Sequence, residues 1–269
     1  MTTQVIPSVF CFVILHKTII NNTLSKINSS PNTAFYKNKV KIKFTKLVVL
    51  IVIIQSCSVT KESRKEIFAE TTIVDRVWGI DISHYQEIFD WDKFQQQEPG
   101  FIFLKATEGS TVKDPKYTEY YKKFRKMNIP VGSYHFFTYM TSGKDQAKNF
   151  LSIAQFQHGD LPLVLDAEFA KKMPNKEHVQ KHLLDFMTAI HDKTGHYPII
   201  YCAYKFYLLY LKGSLSPECK LWIVDYKSNP NCDWIFWQTT EKYRAAGIKG
   251  YVDFNLFYGT KKELKSLLY

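Results

Sequence analysis

From position 77 onward, short apolar runs recur along the chain, at 77–82, 101–105, 131–137, 163–165, 199–203, 221–224, 235–237 and 252–257. Polar or amphipathic stretches separate them. Near-continuous apolar runs of this length, joined by helical crossovers, are what a parallel sheet covered on both faces requires. Three of the intervening stretches, 115–127, 144–156 and 176–193, carry helical periodicity; the last puts Val179, Leu183, Phe186, Met187 and Ile190 on one face. Thr194 and Gly195 close that helix. After Tyr201 the connections become short and irregular, leaving no room for four full helices in the second half. The expected fold is α/β: an irregular or incomplete (β/α)8 barrel, one domain over 74–269, with an open doubly wound sheet as the alternative.

The stretch ahead of the barrel has a different pattern. Lys41, Lys43 and Lys46 precede an apolar run over 47–54 and then Gln55-Ser56-Cys57. That run is short for a bilayer span and has the length of a signal-peptide core. The junction resembles a bacterial lipobox, so 40–57 is expected to be a lipoprotein-type signal peptide ending at Cys57, the lipidated first residue of the mature protein. An uncleaved membrane anchor is the alternative. Export signals begin near the initiator, so 1–39 is expected to be a leader ahead of a start near Val40, outside the translated protein. Residues 58–73, with Lys61, Glu62, Arg64, Lys65 and Glu66, form a charged linker. These features place the protein in the bacterial cell envelope, held to the membrane by its lipid.

Charge changes little once it is divided along the chain. The formal net charge is +11, yet the seven lysines of residues 1–60 have no acidic partner there; subtracting them from 36 leaves 29 basic against 25 acidic residues, or +4. A +4 balance over a folded domain gives no footprint for nucleic acid. Of five cysteines, Cys11 and Cys57 lie ahead of the barrel, Cys202 sits in an apolar run, and Cys219 and Cys232 are candidates for a disulfide in an oxidising compartment. No spacing suggests zinc: His178 and His182 share a helix face but lack a third ligand.

Acidic residues recur at the ends of the apolar runs: Asp81, Glu108, Asp166 with Glu168, and Asp225. In parallel barrels the C-terminal strand ends form the open mouth, so these carboxylates are expected to share a cleft. Asp166 and Glu168 are two apart in an extended segment, so they face the same way with Cα atoms ~6.5–7 Å apart. If the sheet closes, the last strand lies beside the first and brings Asp253 to Asp81. Crowded carboxyls raise one another's pKa, which supplies an acid able to protonate a leaving oxygen beside a stabilising carboxylate, as glycoside hydrolysis requires. Tyr85, Tyr134, Phe136, Tyr226 and Trp237 are candidate sugar platforms.

The segments Gly79-Ile-Asp-Ile-Ser-His-Tyr-Gln86, Asp90-Trp91, Phe103-Leu-Lys-Ala-Thr-Glu-Gly109, Gly132-Ser-Tyr-His-Phe136, Leu163-Val-Leu-Asp-Ala-Glu168, Leu221-Trp-Ile-Val-Asp-Tyr226, Trp237-Gln238 and Val252-Asp-Phe-Asn255 occur in order over nearly the whole domain. Together they resemble glycoside hydrolase family 25, the Chalaropsis-type lysozymes. The resemblance implies cleavage of the β-1,4 bond between N-acetylmuramic acid and N-acetylglucosamine in peptidoglycan glycan strands, without metal or cofactor. It implies Glu168 as acid/base, Asp166 as its partner, and Asp81 and Asp253 as supporting carboxylates. Glu108, Asp225 and Gln238 join the five aromatics as expected substrate contacts. Ser133 stands where alanine is frequent.

Rival readings are a chitinase-type hydrolase, disfavoured because Pro162-Leu-Val-Leu and not a run of aspartates precedes Asp166, and a metal-dependent hydrolase built on Asp81, Glu108, Asp166, Glu168 and His135. A catalytically silent peptidoglycan-binding protein is the rival from another class. The protein is expected to act as a monomer. The substrate's own 2-acetamido group is the expected nucleophile, oriented by Asp166, with retention of configuration; the alternative makes Asp81 or Asp253 the base for a water, with inversion.

Overall fold

The computed structural model describes residues 76–269. The expected leader over 1–39, signal peptide over 40–57 with Cys57, and the linker over 58–73 lie outside the described residues. In chain order the strands are β1 (Trp78–Ile82), β2 (Glu87–Ile88), β3 (Phe101–Glu108), β4 (Val112–Lys113), β5 (Val131–Phe136), β6 (Val164–Asp166), β7 (Ile199–Ala203), β8 (Leu221–Val224), β9 (Phe236–Tyr243), β10 (Ile248–Lys249) and β11 (Val252–Phe257). Each expected apolar run contributes one barrel strand. The helices are α1 (Trp91–Gln95), α2 (Tyr117–Lys126), α3 (Gly143–Leu151), α4 (Lys176–Thr194), α5 (Tyr204–Phe206), which continues into a π turn over Tyr207–Leu211, and α6 (Lys261–Lys265).

Hydrogen-bonded neighbours run β1, β3, β5, β6, β7, β8, β9, β11 and back to β1, so the sheet is a closed barrel and not an open one. Neighbours are parallel from β1 round to β9, whereas β11 is antiparallel to both β9 and β1. Full crossover helices serve only the first half. Between β8 and β9 there is no helix, and β9 returns to β11 past the short β10, which pairs with β2.

The helices form where the sequence places their apolar faces and caps. On α4 the buried residues are the expected five, Asn175 caps the start by accepting from the His178 N–H, and Gly195 ends it at φ +77°. Helix α3 stops at Leu151, a turn short of the expected 156, where the Ser152 hydroxyl donates to the Asn149 carbonyl at 2.6 Å and competes with the helical ladder.

Alternation along the strands sorts the core into two layers. Outward residues such as Ile102, Leu104, Leu165, Ile200, Cys202 and Ile223 pack under the helices. Inward ones, Phe101, Phe103, Val164, Ile199, Tyr201, Trp222, Phe236 and Phe257, fill the barrel. Phe103 stacks on Trp222 at 4.4 Å between centroids. The interior has room for Phe103 only because position 132 lacks a side chain: a Cβ there would lie 2.3 Å from its ring. Packing below the mouth therefore leaves one polar end to the barrel. Among the described residues no helix is long and apolar enough to cross a membrane.

Candidate active site

The inward parity that buries aromatics low in the barrel delivers charges at its mouth. Strand β1 runs Gly79, Asp81 on the inward face, β3 runs Phe101, Phe103, Lys105, and β6 runs Val164, Asp166. β11 enters from the opposite direction, so its acid stands at its beginning: Asp253 is the register partner of Asp81. A cavity of about 240 Å³ opens there, lined by Asp81, Asp166, Glu168 and Asp253 together with Ser83, Tyr85, Gln86, Lys105, Tyr134, Phe136, Tyr201 and Trp222. The strand itself ends at Asp166, but the Ala167 N–H still donates to the Tyr201 carbonyl at 2.9 Å, which carries the extended run one residue further and turns Glu168 into the same cavity.

Burial and mutual repulsion govern the charge state. Asp81 is buried, and desolvation followed by the nearby Asp253 pushes its carboxyl well above the ordinary range. Asp253 is raised to about 6, chiefly by desolvation. The two carboxyls face each other as register partners, and their mutual repulsion is relieved when one of them holds a proton. Asp166 rises strongly through desolvation, then through Glu168 and Asp81. Glu168 keeps access to solvent at the edge of the cleft, and its desolvation produces a smaller rise, which Lys105 opposes. One oxygen of Asp166, Oδ1, is buried with no hydrogen-bond partner among the described residues.

A polar chain anchors this cluster to the core. The Trp222 Nε1–H donates to Asn255 Oδ1 at 2.8 Å, and Asn255 Nδ2 donates to Asp81 Oδ2 at 2.7 Å. Lys105, its side chain only 12% exposed, donates to Glu108 at 2.6 Å and lies 4.8 Å from the Phe136 ring centre.

Tyr85, Tyr134 and Phe136 line the cavity, and Glu108 reaches it through its bond to Lys105. Tyr226 is half-exposed and accepts from Gln238 Nε2 at 2.9 Å, so the buried Gln238 holds Tyr226 in place. Trp237 requires correction: Phe236 and Gln238 take the inward parity of β9, and Trp237 points outward, packing against Trp234 and donating to the Asp225 carbonyl at 2.8 Å. Asp225 likewise shapes a turn, accepting from the Lys227 N–H at 2.9 Å. His135, offered as a metal ligand in one rival reading, faces away from the cleft under α3 and α4, bonded to Thr107 and Gln146. Lys105, Asn255, Tyr201 and Trp222 belong to the site although no role was expected of them; the signal was parity, since 105 follows 101 and 103, and 255 follows 253.

Comparison with known proteins matches this geometry. Residues 80–248 match the profile of the family described as glycosyl hydrolases family 25. The chain is 34% identical over 201 residues to the uncharacterized protein YegX of Escherichia coli strain K12, covering 71% of this chain and 73% of that one. It is 28% identical over 209 residues to Lysozyme M1 of Streptomyces globisporus, covering 71% of each. Among solved structures, a family 25 glycosyl hydrolase from Bacillus anthracis superposes with a TM-score of 0.68 at 30% identity, over 74% of this chain and 97% of that one. Because the family match spans more than half of the chain and includes the strands that present Asp81, Asp166 and Glu168, the chain belongs to glycosyl hydrolases family 25 and is a glycoside hydrolase.

Proposed function

We propose that this peptidoglycan hydrolase is a muramidase that cleaves the β-1,4 bond from N-acetylmuramic acid to N-acetylglucosamine, with Glu168 as acid and then base. The observation that carries this reading is the meeting of Asp81, Asp166, Glu168 and Asp253 around one cleft. Glu168 combines a raised pKa with solvent access. It is therefore protonated over a wider pH range than a free carboxyl and can reach an incoming glycosidic oxygen.

The proton of Glu168 passes to the leaving oxygen as the C1–O bond breaks, and the substrate's acetamido oxygen forms a bond to C1. Asp166 orients that group. Its buried Oδ1 has no hydrogen-bond partner among the described residues and so remains free to accept the acetamido N–H once the substrate enters, and the positive charge that develops on the resulting ring favours the carboxylate form of Asp166. The Glu168 carboxylate then takes a proton from the water that attacks C1 and opens the ring. Two inversions give net retention. Asp81 and Asp253, sharing a proton, limit the negative charge at the cleft floor and offer hydrogen-bonding groups to the sugar.

Glu168→Gln tests the assignment: hydrolysis falls by about 10²–10⁴-fold while wall binding and folding persist, and a variant that keeps more than about a tenth of the rate removes Glu168 from the role. Proton NMR of the first product shows the β-anomer under retention, and an initial α-anomer rejects it. Wall lacking the muramic N-acetyl group resists cleavage if that group participates; unimpaired cleavage rejects participation.

The protein acts at the cell envelope. Within the same proposal, residues 40–57 direct export, the acyl chains on Cys57 hold the protein to the membrane, residues 1–39 precede the true start, and the barrel works as a monomer.

A further inference from the structure

A second compartment opens beside the carboxylate cleft. Phe136 and Glu168 line both. Beyond them its walls include Tyr139, Met140, Phe169 and Met173, with Lys172 the one cation, around a volume of about 440 Å³. Met140 is 89% exposed and Phe169 42% exposed. Met140 lies on the loop after β5 and Phe169 on the loop after β6, and contacts within the protein hold these loops together. Tyr139 donates its hydroxyl to the Glu168 carbonyl at 3.1 Å, the Ala170 N–H points to Met173 Sδ at 3.1 Å, and Phe169 rests against Phe206 at 5.2 Å.

An open apolar pocket continuous with a reactive cleft is a binding site in waiting. Its chemistry suits some ligands badly. A hexose ring needs hydrogen-bonding partners for its hydroxyls, and apart from Glu168 and Tyr139 the lining offers only Thr138 and Lys172 as polar side chains. The Thr138 backbone is already bonded to Gln146 at 2.9 and 2.6 Å. An alkyl group beside a carboxylate fits better: Met140, Phe169 and Met173 supply the apolar wall, and the exposed Lys172, next to exposed Lys171, supplies the charge.

We propose that this pocket binds the short acidic peptide carried by the muramic acid of peptidoglycan, with its alkyl side chain against Phe169 and the two methionines and its carboxylate on Lys172. The proposal rests on the muramidase reading above. It makes the enzyme selective for peptide-bearing wall.

The test compares initial rates on intact peptidoglycan and on the same wall stripped of peptides by an amidase, for the full-length protein and the variants Phe169→Ala and Lys172→Glu. Lys172 is exposed, so its replacement leaves the fold intact and keeps the test valid if Phe169→Ala folds poorly. On intact wall each variant loses about 10-fold in kcat/KM, the scale of one apolar or ionic contact, and on stripped wall it changes less than about 2-fold. Equal losses on both walls assign the pocket to the glycan and overturn the proposal, as does unchanged activity of both variants on intact wall. If the unmodified protein cleaves neither wall, the muramidase reading itself falls; cleavage with equal losses overturns the pocket assignment alone.

Discussion

Asn255→Leu isolates the polar chain beneath the carboxylates. Leucine matches asparagine in size but makes neither of its bonds, and the site is fully buried. Trp222 Nε1 loses an acceptor at 2.8 Å and Asp81 loses a donor at 2.7 Å. Each buried group left without its partner costs about 1–3 kcal/mol, so the pair amounts to about 2–6 kcal/mol. For a domain of this size each kcal/mol lowers Tm by about 2–4 °C, which gives a fall of about 5–20 °C by circular dichroism or differential scanning calorimetry. The Asn255 bond also holds the Asp81 carboxyl down against burial, so the variant moves Asp81 further toward its protonated form. Asn255→Asp separates the two effects. It can still accept from Trp222 but crowds a third carboxyl against Asp81 and Asp253, so its loss of stability is larger at pH 7 than at pH 5. A Tm for Asn255→Leu within about 2 °C of wild type would refute the claim that this chain holds the site to the core.

Three further outcomes follow from the charges. Lys105 lowers the pKa of Glu168 against desolvation, so Lys105→Met lets Glu168 keep its proton to higher pH and moves the alkaline limb of the kcat/KM profile upward; a limb that stays or moves down contradicts this. Asp253 has its pKa raised from 3.8 to about 6 by folding, so the native state binds its proton more tightly than the unfolded chain does. Its contribution is fully present below about 4 and is lost as pH rises through about 6. Asp253→Asn therefore gains Tm relative to wild type at pH 7 more than at pH 4, and a constant difference across that window argues against the shift. Cys57→Ser protein leaves the membrane fraction if the acyl chains are the anchor; unchanged fractionation with 47–54 retained supports an uncleaved span.

The order of strands and the short second half were legible because apolar runs and helical faces are local signals. The same holds for Asp81, Asp166 and Glu168, which stand where runs end. Asp253 stands at the beginning of its strand, so the strand-end rule alone misses it; closure of the barrel by an antiparallel β11 is what brings it to the mouth. Trp237 shows the reverse error. An aromatic beside Gln238 looks like a platform until strand parity turns it outward, toward Trp234. Lys105 and Asn255 fall within segments that carry the resemblance, yet their residue types alone give them no role; those roles arise from partners 3 and 174 positions away. Helix α3 ended early for a reason that hydrophobic periodicity does not encode, the hydroxyl of Ser152.

The central claim is the bond that is cut. Peptidoglycan digested by the protein, reduced with borohydride and analysed by mass spectrometry, should release fragments whose reduced end is N-acetylmuramic acid, at a rate about 10²–10⁴-fold lower from the Glu168→Gln protein. Fragments ending in reduced N-acetylglucosamine would contradict the account, since they would place the cut on the other glycosidic bond.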